Sequence, residues 1–127
     1  MLSRALLLLA VVCGAGLSQA DPPGEPGVVH VVLVWLNEPG NAGHRQQIID
    51  GSKKLTEIPG VQDLRVGRVV PSERDVVDSS YDVALYLRFD SQAALQAYLA
   101  HPIHKTVVKE QFLPVMDYYR VYDFTDE

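Results

Sequence analysis

The chain has 127 residues, with 11 basic and 16 acidic side chains and a formal net charge of −5. This balance predicts no nucleic-acid partner, because binding to phosphates is driven by clustered Lys and Arg and no such cluster stands out. The length suits a single domain. A domain this small buries only about 60 to 65 percent of its unfolded surface, so association is an expected second source of stability.

Residues 1–20 have the layout of a secretory signal peptide: Arg4, an apolar run from Ala5 to Val12, and small residues ending at Ala20. The apolar run is shorter than the roughly 20 residues that a membrane-spanning helix needs, and no second such run follows. We expect cleavage after Ala20 and an exported chain, periplasmic or secreted, with no membrane partner after cleavage.

Cys13 is the only cysteine, and it lies within the expected signal peptide. Lipidation at Cys13 is an alternative that the sequence disfavours, because Val12 is branched where a lipoprotein cleavage site requires a small residue. After cleavage the chain has no thiol, so in an oxidising compartment its core alone must hold it together.

The first half of the chain predicts a leader, a strand and a helix. Residues 21–27, "DPPGEPG", predict a flexible leader, since three prolines and two glycines oppose regular structure. Residues 28–36, "VVHVVLVWL", are β-branched and apolar almost throughout and predict a buried strand. Apolar positions at helical spacing predict a helix over 44–58, which Pro59 and Gly60 end.

The second half predicts two strands, a broken helix and a last strand. Residues 61–70 and 81–89 favour strands, with strict alternation in the second, and a polar loop joins them. Ser91 is a good cap for a helix that Pro102 must interrupt, and proline favours the first turn of a new helix running to about Leu113. Residues 118–124, "YYRVYDF", predict the closing strand.

This order of elements predicts an α+β, ferredoxin-like (split βαβ) fold, an antiparallel sheet with helices on one face. The first strand is apolar on both faces, although helices would cover only one of them. We therefore expect a homodimer in which the uncovered faces of two sheets pack together.

Four stretches resemble the stress-responsive A/B barrel (Dabb) family over residues 28–124: "HVVLVWL" from His30, "EIPGVQDLRVGRVVPSERD" from Glu57, "YDVALYLRFDSQAALQAYLAHPIH" from Tyr81, and "VYDF" from Val121. The resemblance implies a ferredoxin-like fold that forms a dimeric α/β barrel. It also implies two outcomes for function, since some plant members are stress-induced proteins without an assigned reaction and at least one is a polyketide cyclase.

His104 is the candidate base. A helix starting near Pro102 puts His104 on the apolar face that carries Val107 and Val108, where desolvation favours neutral imidazole. The resemblance implies that His104 matches the acid/base of the cyclase member and that Tyr98 matches its hydroxyl partner. The alternative is that both side chains are packed core residues.

The other site predictions follow from the same arrangement. His30 lies on one face of the first strand, where a structural role and a contact with a ligand are equally open. The resemblance implies that His30 lines the cleft between sheet and helices. The expected cleft is mostly aliphatic, which suits a small hydrophobic ligand. The expected ligand-binding residues are His30, Val32, Val83, Leu85, Val107 and Val108.

Val83 departs from the cyclase pattern, which has a histidine at this position, so a proton relay through that strand is not expected. His101 immediately precedes Pro102 and is expected to punctuate the helix break. We predict no metal, because His101 and His104 are three residues apart across that break, and no cofactor, because phosphate-binding and dinucleotide motifs are absent from the sequence.

Three functions stay open from the sequence. The first is an exported homodimer that binds a small apolar molecule between sheet and helices. The second is an enzyme of the polyketide-cyclase type, in which His104 moves a proton during an aldol or Claisen closure and Tyr98 orients the oxygen. The third is a non-catalytic stress or structural dimer with a packed cleft.

Overall fold

The computed structural model describes residues 24–127, so the expected signal peptide and the first three residues of the leader lie outside the described residues. The strands are β1 (Gly27–Leu36), β2 (Asp63–Arg68), β3 (Val83–Phe89) and β4 (Met116–Asp126), and the helices are α1 (Ala42–Lys54), α2 (Gln92–Ala100) and α3 (Pro102–Val107). A 3₁₀ turn over Leu55–Glu57 extends α1, and a π-helical turn over Val108–Phe112 extends α3.

The strands form one antiparallel sheet in the order β2-β3-β1-β4, and the three helices pack on one of its faces. This is the predicted ferredoxin-like fold. Several boundaries differ from the prediction. Gly27, expected in the leader, already pairs with Asp126, and β4 is four residues longer than expected. The first helix begins two residues earlier than predicted, and β2 and β3 each begin two residues later. Within residues 24–127, every helix is too short or too polar to cross a membrane.

The core lies between the sheet and the helices. The side chains of β3 alternate strictly, and all four on the helix side are buried: Val83, Leu85, Leu87 and Phe89. The even-numbered residues of β1 lie beside them, because Val32 pairs with Leu85 and Val34 with Val83. Alternation of successive side chains across the sheet therefore separates a covered face from an outer face that no helix of the described residues covers.

β4 is exposed along its length. It pairs with β1 from Gly27 to Leu36, but the helices pack on the other three strands. Several large apolar side chains of β4 stay open to solvent, among them Tyr119 at 54% and Val121 at 39%. The helical layer is thus narrower than the sheet.

The break between α2 and α3 depends on His101 and Pro102. His101 is extended (φ −69°, ψ 140°), and its Nδ1 accepts a hydrogen bond from the Ile103 amide at 3.1 Å, which caps α3. Pro102 occupies the first turn of α3, where its missing N–H costs nothing. His101 therefore ends one helix and starts the next, the role that the sequence predicted for it.

A buried carboxylate fixes the loop between β1 and α1. Asp82 accepts hydrogen bonds from the amides of Leu36 at 2.9 Å and Gly40 at 2.8 Å. Gly40 has a φ of 76°, which a side chain would disfavour. Both donors would be unpaired without this side chain, so Asp82 has a structural role.

Gly51 lets α1 approach the π-helical turn closely. A Cβ atom at Gly51 would lie 2.7 Å from Cβ of Gln111 and 3.2 Å from Phe112. The turn itself is held by a bond from the Leu113 amide to the Val108 carbonyl at 2.9 Å. Since Val108 and Phe112 also face the cavity described below, this contact sets the position of one wall.

Gly51→Ala is expected to destabilise the fold. Overpacking costs typically about 1–3 kcal/mol, which exceeds the roughly 1 kcal/mol that alanine gains over glycine inside a helix. Gly43→Ala is the matched control, because Gly43 lies in the same helix with only the Asn41 side chain nearby, at 3.4 Å. Urea unfolding should show a lower free energy of unfolding for Gly51→Ala alone, and equal stabilities would contradict this packing argument.

Candidate functional site

A cavity of about 310 Å³ lies between the sheet and the helices. Its walls are mostly aliphatic or aromatic, and it opens beside β4. The residues that line it are His30, Val32, Val34, Leu55, Leu85, Tyr98, Leu99, His104, Val108, Phe112, Met116, Tyr119, Val121 and Asp123.

Strand pairing brings His30 and Asp123 together. They are directly opposite each other on β1 and β4, and Nδ1 of His30 lies 2.5 Å from Oδ1 of Asp123. A carboxylate can only accept, so Nδ1 carries the proton in this contact and Nε2 is left as the second ring nitrogen. Asp123 thereby fixes the orientation of the buried His30 ring.

Tyr98 is the centre of the site. Its side chain is only 2% exposed, and its ring lies 4.9 Å from that of Phe89 and 4.8 Å from that of His104, measured between centroids. Burial raises the pKa of Tyr98 well above its usual value, and no hydrogen bond to the hydroxyl opposes that shift. Tyr98 is therefore a neutral phenol whose O–H can donate to a molecule in the cavity.

His104 reaches the cavity from the first turns of α3, and its ring meets Tyr98 edge-on. Burial lowers the pKa of His104, the charge of nearby His30 adds to the effect, and the Leu99 carbonyl partly opposes it. The imidazole is thus neutral near pH 7, the form that can accept a proton.

The structure brings together six of the eight predicted site residues. Tyr98, His104, His30, Val32, Leu85 and Val108 all line the cavity. Val83 and Val107 do not line it: both are buried in the core beside it, at 0% and 4% exposure. Val83 lies on the face of the sheet that the helices cover, but it is the first residue of β3. Val107 points to a different side of its helix from Val108.

Asp123 lines the cavity but was not among the predicted site residues. The signal for it in the sequence is an aspartate among the aromatic and apolar residues of the closing strand. Its partner His30 is 93 residues away, and only the register of β1 against β4 pairs them. Within residues 24–127, no three His, Cys, Asp or Glu side chains lie close enough together to hold a metal ion.

Comparisons with known proteins agree with this fold. A family model described as the Stress Responsive A/B Barrel Domain matches residues 28–126. A comparison with curated proteins found no significant match.

Three solved structures share the fold at low identity. A Dabb family protein from Mesorhizobium loti with a ferredoxin-like fold is 22% identical, with a TM-score of 0.67 over 81% of this chain and 99% of that one. A hydroxynitrile lyase from Passiflora edulis is 20% identical, with a TM-score of 0.68 over 84% and 96%. A dimeric ferredoxin-like protein of unknown function from Thermobifida fusca is 21% identical, with a TM-score of 0.65 over 80% and 92%.

Acidification is expected to destabilise the protein through His104. Folding lowers the pKa of His104 below the value of about 6.5 that a histidine has in an unfolded chain. Over the pH range between these two pKa values, His104 is protonated in the unfolded chain and neutral in the folded chain. The free energy of unfolding should therefore fall as the pH drops below about 7, until His104 is protonated in the folded state. Urea unfolding between about pH 7.5 and about pH 5 should show a smaller loss for His104→Gln than for the wild type. The same loss in both proteins would contradict a buried neutral imidazole.

Proposed function

Since the chain belongs to the stress responsive A/B barrel domain family, which matches residues 28–126, we propose that it binds a small, largely apolar molecule in the cavity between its sheet and its helices. One observation carries the proposal: an open cavity with apolar walls has a few polar groups gathered in it, namely Tyr98, His104 and the His30–Asp123 pair. This is the usual composition of a small-molecule site.

The size of the cavity limits the ligand. Its 310 Å³ is at the lower end of the range for ligand pockets, which starts at about 300 Å³. The proposed ligand is therefore smaller than most drug molecules. An open cavity of this kind also favours binding over the alternative in which the cleft is filled by packing.

The polar groups suggest what the ligand carries. Tyr98 donates a hydrogen bond, and neutral His104 can accept one, as their opposite pKa shifts indicate. A hydroxyl oxygen can use both groups, and a carbonyl oxygen can accept from Tyr98. We infer an apolar molecule with one such oxygen, which lies at the Tyr98 end of the cavity.

The proposed assembly is a homodimer. Val31, Leu33 and Trp35 project from the outer face of β1, and Tyr122 and Phe124 project beside them from β4 at 58% and 54% exposure. Two such faces packed together would bury this apolar surface. Solved structures of similar fold from Thermobifida fusca, Bacteroides fragilis and Jannaschia are described as dimeric, which supports the proposal.

Export is also part of the proposed function. The layout of residues 1–20 supports it, with a basic residue, a short apolar run and small residues before Ala20. The protein would then meet its ligand in the periplasm or outside the cell.

Binding of 2-naphthol, an apolar bicyclic molecule with one hydroxyl, tests the proposal. Tyr98→Phe should weaken its binding about 3- to 10-fold, the value of one hydrogen bond, and should leave binding of naphthalene unchanged. Tyr122→Phe, which removes a hydroxyl from the outer face, is the matched control and should bind like the wild type. Fluorescence titration measures each of these affinities. If 2-naphthol fails to saturate the wild type, or binds Tyr98→Phe as tightly, the proposed site is wrong.

A second candidate function is proton transfer next to a carbonyl group, as in an aldol or Claisen closure. The observation that favours it is the neutral His104 beside the un-ionised Tyr98. The imidazole nitrogen would take a proton from the carbon next to the carbonyl, the C–H electrons would form the enolate, and Tyr98 would donate a hydrogen bond to the enolate oxygen. The hydroxynitrile lyase of similar fold supports an enzymatic use of this scaffold.

Exchange of the methyl protons of acetophenone for deuterium, followed by NMR in D₂O, tests this candidate. His104→Gln should slow the catalysed exchange about 100-fold or more, the usual contribution of a general base. His44→Gln is the control, since His44 lies outside the cavity at the start of α1. A wild type that is no faster than His104→Gln would leave binding as the only proposed function.

A further inference from the structure

The cavity holds two imidazoles and one carboxylate. The rings of His30 and His104 both lie against the ring of Tyr98, at 6.1 and 4.8 Å between centroids. Among residues 24–127, Asp123 is the only carboxylate that lines the cavity, and no Lys or Arg lines it. Two side chains that can carry a positive charge therefore share a single negative charge.

His30 uses that negative charge. Its Nδ1 lies 2.5 Å from Oδ1 of Asp123, and the pairing of β1 with β4 holds the two residues opposite each other. His104 has no such partner, since the charged side chain that affects its pKa is His30, which lowers it. A proton on His104 is therefore not balanced by a carboxylate of the described residues.

In the part of the chain that the structure describes, the elements packed around His104 bring no further charge to the cavity. Its titratable neighbours in the lining come from β1, α2 and β4: His30, Tyr98, Tyr119 and Asp123. On α1 and the 3₁₀ turn that follows it, the titratable side chains all lie outside the lining: His44, Arg45, Asp50, Lys53, Lys54 and Glu57. The same holds around α3 for His101, Lys105, Lys109 and Glu110.

Protonation changes what His104 offers to a ligand. In the neutral ring one nitrogen carries a proton, which the Leu99 carbonyl favours, and the other nitrogen can only accept. The protonated ring donates from both nitrogens. Since this ring meets Tyr98 edge-on at the cavity, the phenol O–H and an imidazolium N–H form two neighbouring donors with one positive charge.

A carboxylate matches this pair of donors. It has two oxygens that only accept, and hydrogen bonds between charged groups are about twice as strong as those between neutral groups. A phosphate group would bring about 1.5 to 2 negative charges against one positive charge. An ammonium group would find its counter-ion, Asp123, already paired with His30. The charges of the cavity therefore favour a carboxylic acid.

We propose that the ligand of the cavity is an apolar carboxylic acid bound as its anion, and that His104 takes up a proton from solvent when it binds. The inference rests on the proposed ligand binding and names the chemical class of the ligand. One carboxylate oxygen accepts from the Tyr98 hydroxyl and the other from His104, while the apolar part lies among the aliphatic side chains. Pairing and hydrogen bonding offset the cost of removing the anion from water.

Proton uptake makes the binding stronger in acid. A carboxylic acid ionises near about pH 4, so it stays an anion between about pH 8 and about pH 6. Its affinity should rise as the pH falls through this range, by at most about tenfold for each pH unit, because one ligand brings at most one proton. Binding of 2-naphthol, which requires no charge on His104, should not show this rise.

Binding of 2-naphthoate, the same bicyclic molecule with a carboxylate in place of the hydroxyl, tests the proposal. Calorimetric titration in phosphate and in Tris, which absorb different heats when they give up a proton, measures the proton uptake. His104→Gln keeps a hydrogen-bonding side chain that does not ionise. His44→Gln is the matched control, because His44 lies outside the cavity at the start of α1. Circular dichroism checks that both variants are folded.

We expect the wild type and His44→Gln to take up about 0.5 to 1 proton for each 2-naphthoate at about pH 7. His104→Gln should take up none, and its affinity should not rise between about pH 8 and about pH 6. Tyr98→Phe should bind more weakly but keep the uptake. If His104→Gln does not fold, an NMR titration of the wild-type His104 ring decides, since 2-naphthoate should raise its pKa.

The outcomes separate this inference from the proposed function. A wild type that binds 2-naphthol, but binds 2-naphthoate without proton uptake or not at all, would overturn the inference and leave the proposed function intact. Uptake that persists in His104→Gln would also overturn it, because another group would then hold the proton. A wild type that binds neither molecule would overturn the proposed function itself.

Discussion

The burial of Tyr98 determines the shape of the site. Its ring packs against Phe89 of the sheet, His30 of β1 and His104 of α3, so one aromatic side chain joins the sheet to both helices of the broken pair. A phenol in such surroundings cannot ionise near neutral pH and must keep its proton. A large and almost fully buried core residue is therefore also the phenol that lines the cavity.

The imidazoles of His30 and His104 lie beside Tyr98 in different surroundings. His30 is tied to Asp123, which holds its ring in one orientation, while His104 lies in apolar surroundings that lower its pKa. The fixed orientation of the His30 ring and the lowered pKa of His104 can each serve the binding of an oxygen or the transfer of a proton. The helix break at His101 and Pro102 aims His104 at the cavity, since a continuous helix would carry it elsewhere.

The sequence predicted the fold and the meeting of Tyr98 with His104 at a cavity because both depend on local patterns. Alternation over 83–89 indicated the strand and its buried face, and Pro102 after a capped helix indicated the break that positions His104. The errors are of a different kind. Alternation predicts on which face of a strand a side chain lies, but it does not predict which helix packs against that side chain. Val83 was therefore predicted to line the cavity, although it lies in the core beside it. The contact of Asp123 with His30 joins residues that are 93 positions apart. Local patterns carry no information on the register of β1 against β4 that brings them together.

β4 is exposed where the cavity opens, since the helices cover the other three strands of the sheet. We propose that this cavity holds a small apolar molecule by its oxygen. A crystal structure of the protein with 2-naphthol is the most direct test of this proposal. We expect the naphthol oxygen to lie about 3 Å from the Tyr98 hydroxyl or a His104 nitrogen, with the rings among the aliphatic side chains. A naphthol bound only on the outer face of the sheet, with the cavity empty, would contradict it.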